Sequence, residues 1–322
     1  MAVPTGTFVT YSAIGVREDL ADVIYDISPT ETPFLSNAKR GSCSQKYVEW
    51  QTDSLAAATS AGAIEGDEAT GMTAAPTVRW ANYTVIQTKV PVVTGTLKAS
   101  DTAGRADEMA YQVAKRSKEL KRDMEKTLLG TQGAAAGAID SARACAGVAR
   151  WIPDDANRVH LAPTGWSTTA FASGAPTGDC LTSTTVSAIT EAQLKSAIAL
   201  AWEDGGDPSL ILCRSSTKQT LSGFTGIATQ YRDNPQMGPA VIIGAADVYV
   251  SDFGTHYIVA DRFMPAGELY ILDMDYWETA YLRPFQTWDL AKTGDSVKKQ
   301  ILVEYTLKAL NRDANAKIDG VA

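Results

Sequence analysis

The hydrophobic pattern is clearest between Arg105 and Leu129, where Ala106, Met109, Val113, Leu120, Met124 and Leu128 recur at spacings of three, four and seven. That period predicts one helix, 105–129, with a single apolar face. Lys115, Arg116, Lys118, Glu119, Lys121, Arg122, Asp123, Glu125 and Lys126 fill the other side. Gly104 and Gly130 bound it, and Asp107 and Glu108 suit the positive end of its dipole. At roughly 1.5 Å per residue it is about 37 Å long, about twice the common length. One oily stripe on so long a helix predicts that it lies across a surface.

Ahead of the helix the period changes. Residues 1 to 40 read as an arm: a short helical pattern at Leu20, Val23, Ile24 and Ile27 stops at Ser28-Pro29, and Thr32-Pro33-Phe34-Leu35 reads as extended or turning chain. From Gln45 the pattern alternates. Lys46 to Gln51 is one strand, and Thr77 to Thr96 a longer one through Val78, Trp80, Tyr83, Val85, Val90, Val92 and Val93. Between them Thr52 to Pro76 is rich in Ala, Gly, Thr and acid, with Glu65, Asp67 and Glu68 near its middle. A two-stranded ribbon is marginal alone in water, so this hairpin makes sense where one subunit lies on the next.

After the helix, small residues lead to Val148–Pro153, and a Thr/Ser/Gly/Ala-rich connection runs from Ala162 to Ser187 without a period. Thr190-Glu-Ala-Gln193 is a capping-box pattern opening a helix through Leu194, Ala197, Ile198 and Ala201. Leu210–Cys213 is a buried strand, Ser216–Phe224 a short helix, and strands follow at Ala240–Ile243, Val248–Ser251 and Tyr257–Ala260. This alternation predicts a compact α/β unit over 187–262. Further strands follow at Glu268–Met274, Trp277–Leu282 and Lys299–Leu310, with no long helix of their own to cover them. The helix before the α/β unit is the available cover, which predicts one domain split in sequence with the unit inserted.

Composition narrows the chemistry. The 322 residues carry a formal charge of -8, which argues against a surface that tracks phosphates. The four cysteines (Cys43, Cys145, Cys180, Cys213) show no C-x-x-C pair and read as reduced structural thiols, not a disulfide frame or a zinc site. No signal peptide or bilayer-spanning run is visible. Asn82-Tyr-Thr84 matches the N-glycosylation pattern and, without a secretion signal, reads as chance. His160 and His256 lack partners at metal-ligand spacing and read as structural. Nucleophile-elbow, phosphate-loop and dinucleotide fingerprints are absent. Asp273, Asp275 and Glu278 lie close in sequence and offer an acid/base set for a hydrolase, although alternation sets both aspartates on one wetted strand face. Glu65, Asp67 and Glu68 lack calcium-loop spacing and read as a solubilising tip or as a group seeking a basic neighbour.

Arm, hairpin, long surface helix, split β domain and inserted α/β unit, in that order, resemble the major capsid protein of tailed bacteriophages and its Hong Kong 97 fold, an α+β architecture. Glu31-Thr-Pro-Phe-Leu35, Val48-Glu-Trp-Gln-Thr-Asp53, Val250-Ser-Asp-Phe-Gly-Thr255, Leu290-Ala-Lys-Thr-Gly-Asp295 and Gln300-Ile-Leu-Val-Glu-Tyr-Thr-Leu307 are similar to a subfamily of phage head proteins. The resemblance implies an N-terminal arm over 1–44, an extended loop over 45–96, a peripheral domain split between 97–186 and 263–322, and an axial domain over 187–262. It also implies a structural, non-enzymatic virion protein without cofactor or metal, assembled in the bacterial host cytoplasm.

The implied partners are further copies in hexamers and pentamers, a portal and decoration proteins, with packaged DNA touched only by non-specific proximity and no membrane. Some relatives carry a large scaffolding segment; this arm is too short for one, which implies a separate scaffold protein. Some cross-link through a Lys on the extended loop; Gln51 to Thr77 contains none, which predicts a non-covalent shell. The expected interface residues are Glu65, Asp67 and Glu68 against Lys115, Arg116, Lys118 or Arg122, with Trp50, Trp80 and Phe34. A bacterial nanocompartment shell, a carboxylate-dependent hydrolase and a monomeric binding module are the alternatives.

Overall fold

The computed structural model describes residues 29–60, 62, 65, 66, 68, 71, 75–100, 102, 105–153, 158–161, 172–180, 186–224 and 247–322. The expected arm helix near Leu20–Ile27 and the strand near Ala240–Ile243 lie outside them.

Helix α3 (Glu108–Leu128) fulfils the long-helix expectation within a few residues at each end, with the Asp107 carboxylate accepting the Met109 N–H. Leu120, Met124 and Leu128 are fully buried. One position departs from the pattern: Glu125, placed by periodicity on the wetted side, has no exposed surface. At about 3.6 residues per turn it falls between Leu128 and Leu129 around the axis, and Leu129 is buried as well.

The helix lies over a five-stranded sheet ordered β1-β11-β12-β4, with β5 also paired to β12. These strands are β1 (Lys39–Ser42), β4 (Val85–Lys89), β5 (Val92–Thr94), β11 (Trp277–Asp289) and β12 (Ser296–Ala309). Lys89 pairs with Asp123 at 2.6 Å, and Gln87 donates to Thr127 at 2.8 Å, fixing helix to sheet. The C-terminal segment therefore uses the preceding helix as its cover, as the split pattern predicts. The register of β11 against β12 shifts between Arg283 and Gln286, where Pro284 has no N–H to give.

Two expectations for the arm root change. Pro33–Asn37 is a short helix, α1, rather than extended or turning chain. Proline fits the first helical position because that N–H has no partner anyway. The next two N–H groups, of Phe34 and Leu35, are received by the Glu125 carboxylate at 2.7 and 2.8 Å. Residues 39–42, assigned to the arm, form β1, parallel to β11 with Lys39 opposite Glu278.

The inserted unit is not closed at 187–262. Its sheet runs β6-β13-β10-β7-β9-β8. Only β7 (Leu210–Cys213), β8 (Val248–Ser251) and β9 (Gly254–Ala260) come from that range; β6 (Arg158–His160), β10 (Glu268–Leu272) and β13 (Ala316–Asp319) come from outside it. Every residue of β7, β10 and β13 is buried, so each requires neighbours on both edges. Helix α5 (Glu191–Glu203) covers one face through Leu194, Ala197, Ile198 and Ala201. Its capping box forms in both directions, with Thr190 N–H donating to Gln193 Oε1 at 2.9 Å. Helix α6 (Ser215–Ser222) follows β7.

Candidate subunit interface

The hairpin splits into a rooted base and a bare tip. Its strands β2 (Tyr47–Thr52) and β3 (Val78–Tyr83) pair from Tyr47↔Tyr83 to Thr52↔Val78 and join neither larger sheet. The base is nailed down by indoles and one amide. Trp50 Nε1 donates to Ala309 O at 2.9 Å, and Trp80 Nε1 to Thr52 Oγ1 at 2.7 Å. Both rings pack against Trp151, with centroids 5.2 and 6.5 Å away. Asn82, without exposed surface, donates to Leu307 O at 2.7 Å and accepts the Ala146 N–H at 2.9 Å. Its amide is consumed by this clamp and cannot serve as a sugar acceptor. Beyond the base, every described residue from 53 to 77 is exposed, Leu55 at 99%.

The expected interface residues separate accordingly. Glu65 and Glu68 are exposed at the tip; Asp67 lies outside the described residues. On α3, Lys115 and Lys118 are exposed. Arg116 is engaged with Glu119 at 2.6 Å, and the Arg122 guanidinium sits 5.5 Å from the Phe263 ring centroid. Three aromatics expected between subunits are used inside this one. Phe34 is fully buried edge-on against Trp277 at 5.9 Å, Trp80 is buried, and Trp50 is partly buried against the same core. Their apolar area is already spent on joining arm root and hairpin to the body, so they leave the interface set.

Sequence reading missed a different apolar group. Ile86, Val90, Val92, Phe285, Trp288 and Leu290, on or next to β4, β5 and β11, are large and exposed. Alternation alone could have shown it, since β4 keeps Val85, Gln87 and Lys89 on the side of α3 and turns Ile86 away.

Beside this group sits a charge hub. Glu304, nearly buried, is held by Arg143 at 2.5 Å, Arg283 at 2.7 Å and Thr84 Oγ1 at 2.9 Å. Burial pushes its pKa up, but the bonds from Thr84, Arg283 and Arg143 outweigh that and leave it below the ordinary value. The hub joins hairpin base, the loop after α3, β11 and β12.

The acid/base set does not converge. Residues 274–276 are a 3-10 turn, not a strand, so Asp273 and Asp275 share no strand face. Asp273 caps that turn, accepting N–H groups of Asp275 at 3.0 Å and Asp207 at 3.1 Å. Asp275 pairs with Lys39, and Glu278 with Lys308. His256 is buried, its pKa lowered by desolvation, and it bridges Ser251 Oγ at 2.7 Å and the Pro208 carbonyl. His160 Nδ1 meets Asp319 at 2.7 Å, and desolvation lowers its pKa too. Cys43, Cys145, Cys180 and Cys213 are unbridged. Among the described residues no three His, Cys, Asp or Glu side chains cluster as metal ligands, and no helix is long and apolar enough to cross a membrane.

An arm root under a long helix, a projecting ribbon, a sheet beneath that helix and a second sheet built around an inserted unit define the Hong Kong 97 class of shell proteins. Solved structures agree on the fold. The capsid asymmetric unit of cyanophage A-1(L) superposes with TM-score 0.63 at 14% identity, covering 97% of this chain and 98% of that one. The SrpI encapsulin of Synechococcus elongatus PCC 7942 superposes at 0.56 and 10% identity, covering 95% and 92%. The chain belongs to the SU10 major capsid protein family, whose model matches residues 3–322. A major capsid protein of Escherichia phage Phieco32 is 28% identical over 342 residues, covering 97% of this chain and 96% of that protein.

Proposed function

We propose that this chain self-assembles, as hexamers and pentamers, into the icosahedral head of a tailed phage that encloses double-stranded DNA. One observation carries the reading: a ribbon rooted through Trp50, Trp80 and Asn82 ends in a tip whose described residues are all exposed. A ribbon of that kind gains stability by lying on a neighbouring copy. Its acidic groups then meet cations of that copy, with Lys115 and Lys118 the exposed candidates on α3. Many modest contacts suffice once the shell closes. The formal charge of -8 suits a wall that packaged DNA approaches without adhering. A separate scaffold and a portal complete assembly in the host cytoplasm, decoration proteins can follow, and the tip, lacking Lys, forms no isopeptide.

Replacing Glu65, Asp67 and Glu68 together by Lys tests this. Electron microscopy is expected to show shells from the parent chain and none from the variant, with the variant's far-ultraviolet circular dichroism unchanged. Normal shells from the triple variant would end the proposed charge contact.

A further inference from the structure

Glu125 and Asp261 form a pair of carboxyls that neither the hairpin nor the sheets explain. Both are almost wholly buried. Glu125 spends both oxygens on α1, one on each of the Phe34 and Leu35 N–H groups. Asp261 follows directly on β9; its N–H donates to Cys213 O at 2.9 Å, and its Oδ1 accepts the Phe263 N–H at 2.7 Å. Its Oδ2 is buried without a donor. The Glu125 carboxyl also lies within hydrogen-bond reach of the Asp261 carboxyl.

The charged side chains around this pair form no ion pair with it among the described residues. On α3, Arg122 is turned over the Phe263 ring. Glu31 ahead of α1, Arg214 at the start of α6 and Arg262 line, with Asp261, a cavity of about 560 Å³. Among the described residues no lysine or arginine forms an ion pair with Glu125 or Asp261. Two touching buried carboxylates without a cation cannot both be ionised; one proton between them supplies the missing donor to Oδ2.

We propose that Glu125 and Asp261 share a single proton, and that this proton is a latch holding the six-stranded sheet, at the end of β9, to the spine helix α3. Loss of the proton breaks the joint on one side only. Ionised Glu125 accepts the Phe34 and Leu35 N–H groups at least as well as before, so α1 stays. Asp261 is repelled, so the end of β9 leaves. The device thus allows the end of β9 to shift on α3 while the arm root stays fixed and the Tyr270 hydroxyl, donating to Leu129 O at 3.0 Å, holds the sheet's centre. That such a shift matters in a shell rests on the capsid reading; the latch itself does not.

The direction with pH follows. Burial raises both acids, and Glu125 is held at about 8. A carboxyl raised in the folded state contributes stability that is complete below its ordinary value and is lost as pH rises through the folded value. The latch is therefore closed in acid and near neutrality and opens in mild alkali.

Asp261→Asn is the discriminating variant. Its amide donates permanently to Glu125, its oxygen still accepts the Phe263 N–H, and Glu125 keeps both bonds to α1. Hydrogen exchange on the full chain, from about pH 6 to about pH 9, is expected to speed up around Phe263 by about tenfold beyond intrinsic base catalysis. Phe34 and Leu35 are expected to stay protected, and Asp261→Asn to abolish the change. Infrared spectra of the unmodified chain near neutrality are expected to show a protonated-carboxyl band that fades in alkali. Identical exchange profiles for the two chains, or no such band, would overturn the latch. Electron microscopy of the same samples reports shell formation separately, so the two readings fail separately.

Discussion

The two sheets of this subunit meet the same requirement, covering apolar strands at both faces and edges, by different means. The six-stranded sheet keeps its centre inside the chain. Leu210–Cys213, Glu268–Leu272 and Ala316–Asp319 are buried throughout. Arg158 and Asp319, neither with any exposed side-chain surface, pair there, and Lys317 Nζ donates to Ala149 O at 2.8 Å. The five-stranded sheet is closed at one end only: Tyr305 and Leu307 are buried, whereas Val92 on β5 and Trp288 on β11 are 51% and 44% exposed. The first sheet has its centre covered within the chain, whereas the second leaves an apolar end uncovered.

The largest effect tests the first half of that contrast. Arg158→Met leaves Asp319 buried with His160 as its remaining side-chain hydrogen-bond partner among the described residues. Removing one member of a buried pair costs about 3–5 kcal/mol, because the remaining charge has no partner. Urea unfolding of the unassembled subunit is expected to show a loss of that size, and Arg158→Met with Asp319→Leu to recover much of it. A loss inside error for the single change would mean that the six-stranded sheet does not depend on its internal charges.

These differences also mark what a sequence can reveal. Helix α3, the hairpin, the capping box at Thr190 and the covering of the C-terminal strands were legible, because each is written in a local period or a cap. Strand partnership is not local. Residues 158–160, 268–272 and 316–319 lie on both sides of the inserted unit, and no spacing announces that they flank Leu210–Cys213. Glu125 carries a charge at a buried angle of the helix, and the signal for it is Leu128 and Leu129 on either side. Asn82 matches a modification pattern by chance and is the hairpin's clamp, and Asp273 fits a strand alternation although it is a cap. Both are polar residues whose partners lie far along the chain or in a turn.

A middling effect is expected where the two regimes meet, at Glu304. Glu304→Gln replaces a carboxylate held by Arg143, Arg283 and Thr84, and charged hydrogen bonds of this kind contribute about 1.5–3 kcal/mol. The folded-state pKa is lowered, so the contribution is present above the ordinary carboxylate value and is lost as pH falls through the folded one. Urea unfolding at neutral pH is expected to separate parent and variant by about 2 kcal/mol, with the gap narrowing in acid. A gap that persisted unchanged in strong acid would show that Glu304 acts through packing rather than charge.

The smallest effect on stability is the most telling for the second half of the contrast. Trp288 and Val92 lie on β11 and β5, strands flanking β12, where Lys298 stands opposite Val92 and Gln300 opposite Trp288. In the isolated subunit both face solvent, so Trp288→Ser with Val92→Thr removes little packing. Exposed substitutions of this kind stay within about 0.5 kcal/mol. The unassembled variant is therefore expected to unfold in urea with the parent chain. Assembly is a different measurement of the same residues: if this end is covered by a second copy, their burial is lost there, at about 25 cal/mol per Å² of apolar surface. Because one shell repeats the contact in every subunit, light scattering is expected to show a raised threshold concentration or no shells. Equal assembly with equal stability would remove this patch from the interface; lower stability in the free subunit would mean that the patch is part of the fold, and the contrast between the sheets would have to be drawn elsewhere.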